Sequence, residues 1–188
     1  MNHVSWTSIL IGLALFLFGI DYLSLSLQEL SPTRLKNLLF KCTSSTFKAI
    51  LIGCFITCII QSSSATTALT VSLINANLMT FSQSIGIIMG ANIGTTITAF
   101  LSALKANSSA KKAAFFHFLF NVIGTTFFMI FLTPFYHLFL IFRFYVPVSP
   151  RLQLAFIHGF FNIVSTFLVY PFYKYMISFT ESCFKMNC

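Results

Sequence analysis

Long apolar runs recur along the chain from Ser8 to Phe172, and short polar stretches separate or interrupt them. A membrane-crossing helix needs about 20 mainly apolar residues, so the runs over 6–27, 113–133 and 152–172 are each long enough to cross a bilayer. The runs over 49–78 and 82–104 are also apolar, but polar or small residues interrupt them. The pattern therefore predicts an all-α integral membrane protein in which some helices are interrupted.

The first interruption is the sequence Gln-Ser-Ser-Ser-Ala-Thr-Thr at 61–67, which we name the tip motif. It follows 12 residues that would form about 18 Å of helix, roughly half of what a bilayer needs. Lipid offers no partner to four polar side chains in series, and these side chains compete with helical backbone hydrogen bonds. We therefore expect a helix that stops at Gln61 and restarts near Ala65, so that 49–78 is a re-entrant helical hairpin.

The second interruption is Gly-Ala-Asn-Ile-Gly-Thr-Thr at 90–96, which we name the glycine motif. Glycine lets a backbone break or approach a neighbour closely. We expect 82–104 to be a broken helix on this basis. Two interrupted apolar segments near the membrane midplane are the best sequence pointer to a transporter binding site.

The connecting stretches carry most of the charge. Within 28–48, apolar residues repeat at a spacing of three to four and predict a short amphipathic helix at the membrane interface, with a plain polar loop as the alternative. Residues 105–112 read as a polar connection. Pro134 should end or kink the span before it, and the run over 135–142 is too short to cross alone.

Composition supports a membrane protein without a soluble domain, so 1–188 reads as a single membrane domain. Hydrophobic residues make up 57% of the chain and charged residues 7%, against about 25% charged in an ordinary soluble domain. The net charge of +8 bears on membrane topology. Because no basic patch is interleaved with exposed aromatic residues, we expect no nucleic-acid partner. The first segment reads as an uncleaved anchor.

Two further features have open interpretations. Asp21 lies in the last third of the first segment, where a carboxylate is either functional or close to the interface; we favour the interface.

The spacing His-x-x-Phe-Asn occurs at His117–Asn121 and again at His158–Asn162. These side chains could contact substrate or carry protons, but we favour hydrogen bonds between helices and to broken backbone. We expect no metal site there, since carboxylate and thiolate ligands are absent from the pattern.

Both the tip motif and the glycine motif offer uncharged hydrogen-bond donors and acceptors. Hydroxyls, amides and free N–H groups at a helix start can surround an anion, and carbonyl and hydroxyl oxygens can coordinate Na⁺. No serine has an obvious base beside it, so we do not expect an enzyme. Residue patterns alone lead to a transporter with broken helices and to no particular substrate.

The tip motif, followed about 20 residues later by the glycine motif, resembles the bacterial branch of the sodium/phosphate cotransporter type II family. The His-x-x-Phe-Asn helices and residues 12–19 are also similar to that family, and the resemblance covers roughly 8–175. It implies a multi-pass protein of the plasma (inner) membrane that carries inorganic phosphate, with Na⁺ as coupling ion and no other cofactor. The implied phosphate and sodium residues are Gln61, Ser62, Ser63, Ser64, Thr66, Asn92, Thr95 and Thr96. Supporting residues would be His117, Asn121, His158 and Asn162.

The resemblance also implies one repeat of an inverted-repeat fold. Family members carry two repeats, each with its own Gln-Ser-Ser-Ser tip, whereas one such tip occurs in this sequence. We therefore expect a homodimer or a partner half-length chain. The alternative is a non-transporting half-length membrane protein that retains the fold or assists a full-length relative. The direction of transport, uptake or export, stays open.

Overall fold

The computed structural model describes residues 5–29, 32–131 and 149–185, and all regular structure in these ranges is helical, as predicted. The helices are α1 (Trp6–Glu29), α2 (Pro32–Cys42), α3 (Thr46–Ile60), α4 (Ser63–Asn75), α5 (Phe81–Ala103), α6 (Ser108–Ile130), α7 (Pro150–Val169), a 3-10 turn (Tyr170–Phe172) and α8 (Tyr173–Lys185). The predictions for Pro134 and for 135–142 lie outside the described residues.

Four described segments are long and apolar enough to cross a membrane. They are Trp6–Leu23, Phe81–Ala103, Ser108–Ile130 and Leu152–Phe184, the last of which runs through α7, the 3-10 turn and α8. The helix predicted within 28–48 is present as α2, which meets α3 at a bend of 108°. The polar connection is shorter than predicted. Asn107 caps α6 by accepting a hydrogen bond from the Ala110 N–H at 2.9 Å, so Lys111 and Lys112 belong to the helix.

The break predicted at Gln61 is confirmed. Gln61 adopts the left-handed conformation with φ 59°, which ends α3, and the Ser62 hydroxyl then accepts a hydrogen bond from the Ala65 N–H at 3.2 Å, which starts α4. The chain restarts as a helix at Ser63, two residues earlier than predicted. With 15 and 13 residues, α3 and α4 are each shorter than a membrane span.

The break predicted at the glycine motif is wrong, because α5 is one continuous helix. A Cβ on Gly90 would overlap the Ile50 carbonyl oxygen, and a Cβ on Gly94 would lie 2.5 Å from the Cys54 carbonyl oxygen. Only glycine allows α3 this close. The glycines serve close packing of two backbones and leave the hydrogen bonds of α5 intact.

The order of these contacts shows that α3 runs parallel to α5. Ala49 lies beside Gly86, Ile50 beside Gly90 and Cys54 beside Gly94. Since α4 folds back along the pair, the two outer ends of the hairpin lie at the amino-terminal end of α5.

A hydrogen-bond network holds that end of the hairpin in place. Thr80 and Gln83 form a reciprocal capping box at the start of α5, and the Gln83 amide donates to the Thr43 hydroxyl at 2.7 Å. Thr43 lies in the turn between α2 and α3, so the network fixes where α3 begins relative to α5.

The core is built around α5, which packs against α3, α4, α6 and α7. Its largest apolar cluster joins Ile50, Met89, Phe128 and Phe161, one residue from each of α3, α5, α6 and α7. In contrast, α1 packs mainly on α4, where the Ser72 hydroxyl donates to its backbone at 3.2 Å. The hairpin is therefore packed on α5 through both of its helices and on α1 through α4, and its exposed side chains lie mainly on α3.

Candidate functional site at the hairpin tip

The tip places the end of one helix beside the start of another. Gln61 and Ser64 are exposed, while Ser62 and Ser63 are half-buried. The first N–H groups of α4 have no partner within the helix, and a helix start carries partial positive charge. The last carbonyl groups of α3 are likewise unpaired and carry partial negative charge. The tip therefore offers both anion-binding and cation-binding groups without a charged side chain.

Thr66, predicted to be a ligand residue, lies below the tip. Its hydroxyl oxygen is 2.9 Å from that of Thr57, and it donates to the Ser62 carbonyl at 3.1 Å. Both threonines are almost fully buried. This arrangement ties α3 to α4, and a ligand role for Thr66 stays a prediction.

The hydroxyls of the glycine motif are engaged within α5. Thr95 donates to the Ala91 carbonyl at 3.0 Å, and the buried Thr96 donates to the Ile93 carbonyl at 2.7 Å. Threonine in a helix commonly bonds the preceding turn in this way. Their predicted contact with substrate stays a prediction.

Asn92 differs from these threonines. Its Oδ1 lies 3.0 Å from Nε2 of His158 on α7. Its Nδ2 is buried and has no hydrogen-bond partner within the described part of the chain. A buried amide group without a partner is unfavourable, so Asn92 keeps an unused hydrogen-bond donor next to its contact with His158.

A groove between α1, α4 and α7 brings part of the tip motif close to His158. It has a volume of about 510 Å³, and its wall includes Ser64, Thr67 and His158. Thr67 was missed as a groove residue, although its position three residues after Ser64 on a helix places both on one face. Through the His158–Asn92 contact, the groove reaches the glycine motif on α5.

The two His-x-x-Phe-Asn sequences play different parts. In each, the asparagine amide donates to the histidine carbonyl four residues earlier, at 3.1 Å for Asn121 and 2.8 Å for Asn162. The predicted interhelical hydrogen bond is confirmed for His158. His117 is exposed on α6, and its side chain has no described contact with either motif.

His158 is the one titratable residue among the described residues that line the groove. Asp21 is exposed on α1, so its placement near the interface stays a prediction. Across the described ranges, no three His, Cys, Asp or Glu side chains come close enough to hold a metal ion. The described lining of the groove is mostly apolar, and its polar side chains are Ser64, Thr67 and His158.

These features define a helical, multi-pass membrane protein with a broken hairpin of the kind that transporters use. A family model described as Na⁺/Pi-cotransporter matches residues 15–144. The chain belongs to the Na⁺/Pi-cotransporter family.

Relatives of the chain occur in bacteria and animals. "Uncharacterized protein YqeW" of Bacillus subtilis (strain 168) is 32% identical over 164 residues, which are 86% of this chain and 52% of the relative. "Putative inorganic phosphate export protein YjbB" of Escherichia coli (strain K12) is 25% identical over 176 residues, 93% of this chain and 32% of the relative. "Sodium-dependent phosphate transport protein 2B" of Homo sapiens is 39% identical over 82 residues, 42% of this chain and 12% of the relative.

The chain thus spans about half of the Bacillus relative and about a third of the Escherichia relative. No solved structure matches it.

Proposed function

We propose that this chain carries inorganic phosphate across the membrane, with Na⁺ as the coupling ion. The proposal rests on one observation. The first turn of α4 borders the groove that is lined by Ser64 and His158. The family and the printed names of its relatives support phosphate as substrate.

The charge balance of the groove favours coupling to a cation. Among the described residues, no lysine or arginine lines it. A phosphate anion there would rely on hydroxyls, amides and the positive start of α4. Na⁺ bound by oxygen atoms near the end of α3 would offset the remaining negative charge. Such a site releases both ions together, whereas a fixed lysine would hold the anion after the cation left.

Transport into proteoliposomes tests this function directly. We expect radiolabelled phosphate to accumulate with an inward Na⁺ gradient and to stay near background with an equal K⁺ gradient. Sulfate, which is also tetrahedral, serves as the competitor that measures selectivity. Equal phosphate entry under both gradients would exclude sodium coupling, and entry under neither would favour the non-transporting alternative. Efflux from phosphate-loaded vesicles then addresses export.

We further propose that a second repeat, from another copy or a companion chain, completes the site. Support comes from the apolar residues Leu51, Phe55 and Ile59, which are spaced by four on α3 and are 53%, 63% and 67% exposed. This stripe runs up to Gln61, so a partner packed on it would also cover the tip. A twofold pair is the commonest arrangement for such contacts.

The distribution of basic residues favours two opposed copies of this chain. Lys41 and Lys48 lie at one end of the helix bundle, and Lys105 and Lys111 lie at the other. Because the Lys and Arg bias fixes orientation, a balanced chain can insert both ways.

We expect carboxy-terminal reporter fusions to give comparable signals from both faces of the membrane. A fusion with two added lysines at one end should report one face only. A one-sided signal from the unaltered chain would instead require a distinct partner chain.

His158 should position Asn92 for the substrate. We expect H158A to weaken phosphate binding about tenfold, since the loss of a hydrogen bond frees the Asn92 amide to turn. The matched control is H117A, which removes the equivalent histidine of the other His-x-x-Phe-Asn sequence at an exposed site. Titration calorimetry with phosphate measures both. Equal affinities in the two variants would rule out the positioning role.

A further inference from the structure

A second cavity lies away from the tip groove, where the first turns of α6 pack against α8. It has a volume of about 500 Å³, and its wall includes Ser109, Lys112, Phe116, Thr180 and Glu181. Since α6 follows the polar residues Lys105 and Asn107, we expect this end of α6 at the membrane–water boundary. The proposed phosphate pathway uses none of these residues.

Thr180, a residue of this wall, has a buried hydroxyl without a hydrogen-bond partner within the described ranges. It is 3% exposed, and its hydroxyl has no partner within the described part of the chain. The hydroxyls of Thr43, Thr70 and Thr166, by contrast, each donate to the carbonyl four residues earlier. A buried hydroxyl without a partner is unfavourable, so we expect Thr180 to turn this hydroxyl toward a polar group bound in the cavity.

The cavity carries one charge of each sign. Lys112 lies on α6 and Glu181 on α8, and no ion pair joins them in the described ranges. The Asn107 cap engages the Ala110 N–H, which leaves the two earlier N–H groups of α6, at Ser108 and Ser109, free for an acceptor. One side of the cavity thus favours an anion and the other a cation.

We propose that this cavity binds the headgroup of a zwitterionic phospholipid of the phosphoethanolamine type. Its phosphate would accept hydrogen bonds from Lys112, Ser109 and Thr180, and its ammonium group would donate to Glu181. The acyl chains would lie along Phe116 and Ile177, which also line the cavity.

Other phosphate-bearing ligands match the wall less well. Inorganic phosphate and anionic headgroups place negative charge near Glu181 and leave it without a partner. A choline headgroup has the right charges, but its methylated nitrogen cannot donate a hydrogen bond. A cavity with Lys112 on one side and Glu181 on the other therefore favours a ligand in which an ammonium group is joined to a phosphate.

Native mass spectrometry of the full chain with added lipid tests the proposal. We expect phosphatidylethanolamine to be retained about tenfold better than phosphatidylcholine or phosphatidylglycerol. E181Q should remove this preference, and K112Q should lower retention of all three lipids. T180V keeps the side-chain shape and should lower retention a few fold. The matched control is K111Q, which changes the adjacent lysine outside the cavity wall.

Soluble competitors separate a lipid headgroup from a free anion. We expect phosphoethanolamine to displace the lipid and inorganic phosphate not to do so. Displacement by inorganic phosphate at the same concentration would overturn the proposal in favour of an anion site. Equal retention of the three lipids, or equal effects of K111Q and K112Q, would also overturn it. Because E181Q is judged by its lipid preference and K112Q against the adjacent K111Q, a general loss of stability cannot imitate the expected pattern.

Discussion

Replacing Gly90 with alanine is expected to lower the thermal unfolding midpoint by roughly 10 °C. The added methyl would overlap the Ile50 carbonyl oxygen, and backbone atoms cannot turn away as a side chain does. Relief requires α3 to separate from α5, at a cost of about 3 kcal/mol, the upper part of the usual range for overpacking. Size-exclusion chromatography of heated, detergent-solubilised protein measures the midpoint.

The control for this variant is G12A on α1. A Cβ on Gly12 meets no atom within 4 Å, and alanine is the better helix former. We expect G12A to leave the midpoint unchanged or slightly raised. A G90A midpoint equal to that of G12A would show that the α3–α5 contact is looser than described.

Loss of the Gln61 side chain is expected to abolish phosphate uptake without weakening the hairpin. Gln61 has φ 59°, a conformation that costs non-glycine residues about 1–2 kcal/mol. Glycine adopts it freely, so Q61G should fold at least as well as the unaltered protein. Uptake in proteoliposomes and the unfolding midpoint are measured on the same preparation. Unaltered uptake by Q61G would remove Gln61 from the proposed site.

Asparagine supplies the control at the same position. Q61N keeps a side-chain amide and tolerates the left-handed conformation, so we expect it to retain part of the uptake. Ser62→Ala should also lower phosphate binding. However, the Ser62 hydroxyl caps α4, and loss of a cap costs about 1 kcal/mol. Its effect would combine binding with stability, so Q61G is the cleaner test.

The hairpin break was predictable because its cause is local. Polar residues in series after Ile60 cannot be accommodated in lipid, wherever the rest of the chain lies. The continuity of α5 was not predictable in the same way. Glycine at 90 and 94 permits either a break or a close neighbour, and the neighbour is α3, a separate segment. Sequence spacing does not say which segment meets a glycine.

The contacts of the candidate site also differ in whether they are local in the sequence. The hydrogen bonds of Thr95 and Thr96 to preceding carbonyls are local, and they follow directly once α5 is known to be continuous. The contact of His158 with Asn92 joins residues far apart in the chain, and only the packing of α7 on α5 reveals it. Thr67 lay within the tip motif, but its place in the groove became evident only with α1 and α7 beside it.

The dependence of α3 on α5 has a consequence for biosynthesis. The hairpin leaves the ribosome before α5, and its helices of 15 and 13 residues are only about 22 and 20 Å long, against a bilayer core about 30 Å thick. The backbone beside Gly53 finds its packing partner, the backbone of Ile87, only when residues 81–103 are present. We therefore expect the nascent hairpin to reach its final packing only together with a helix that is synthesised after it.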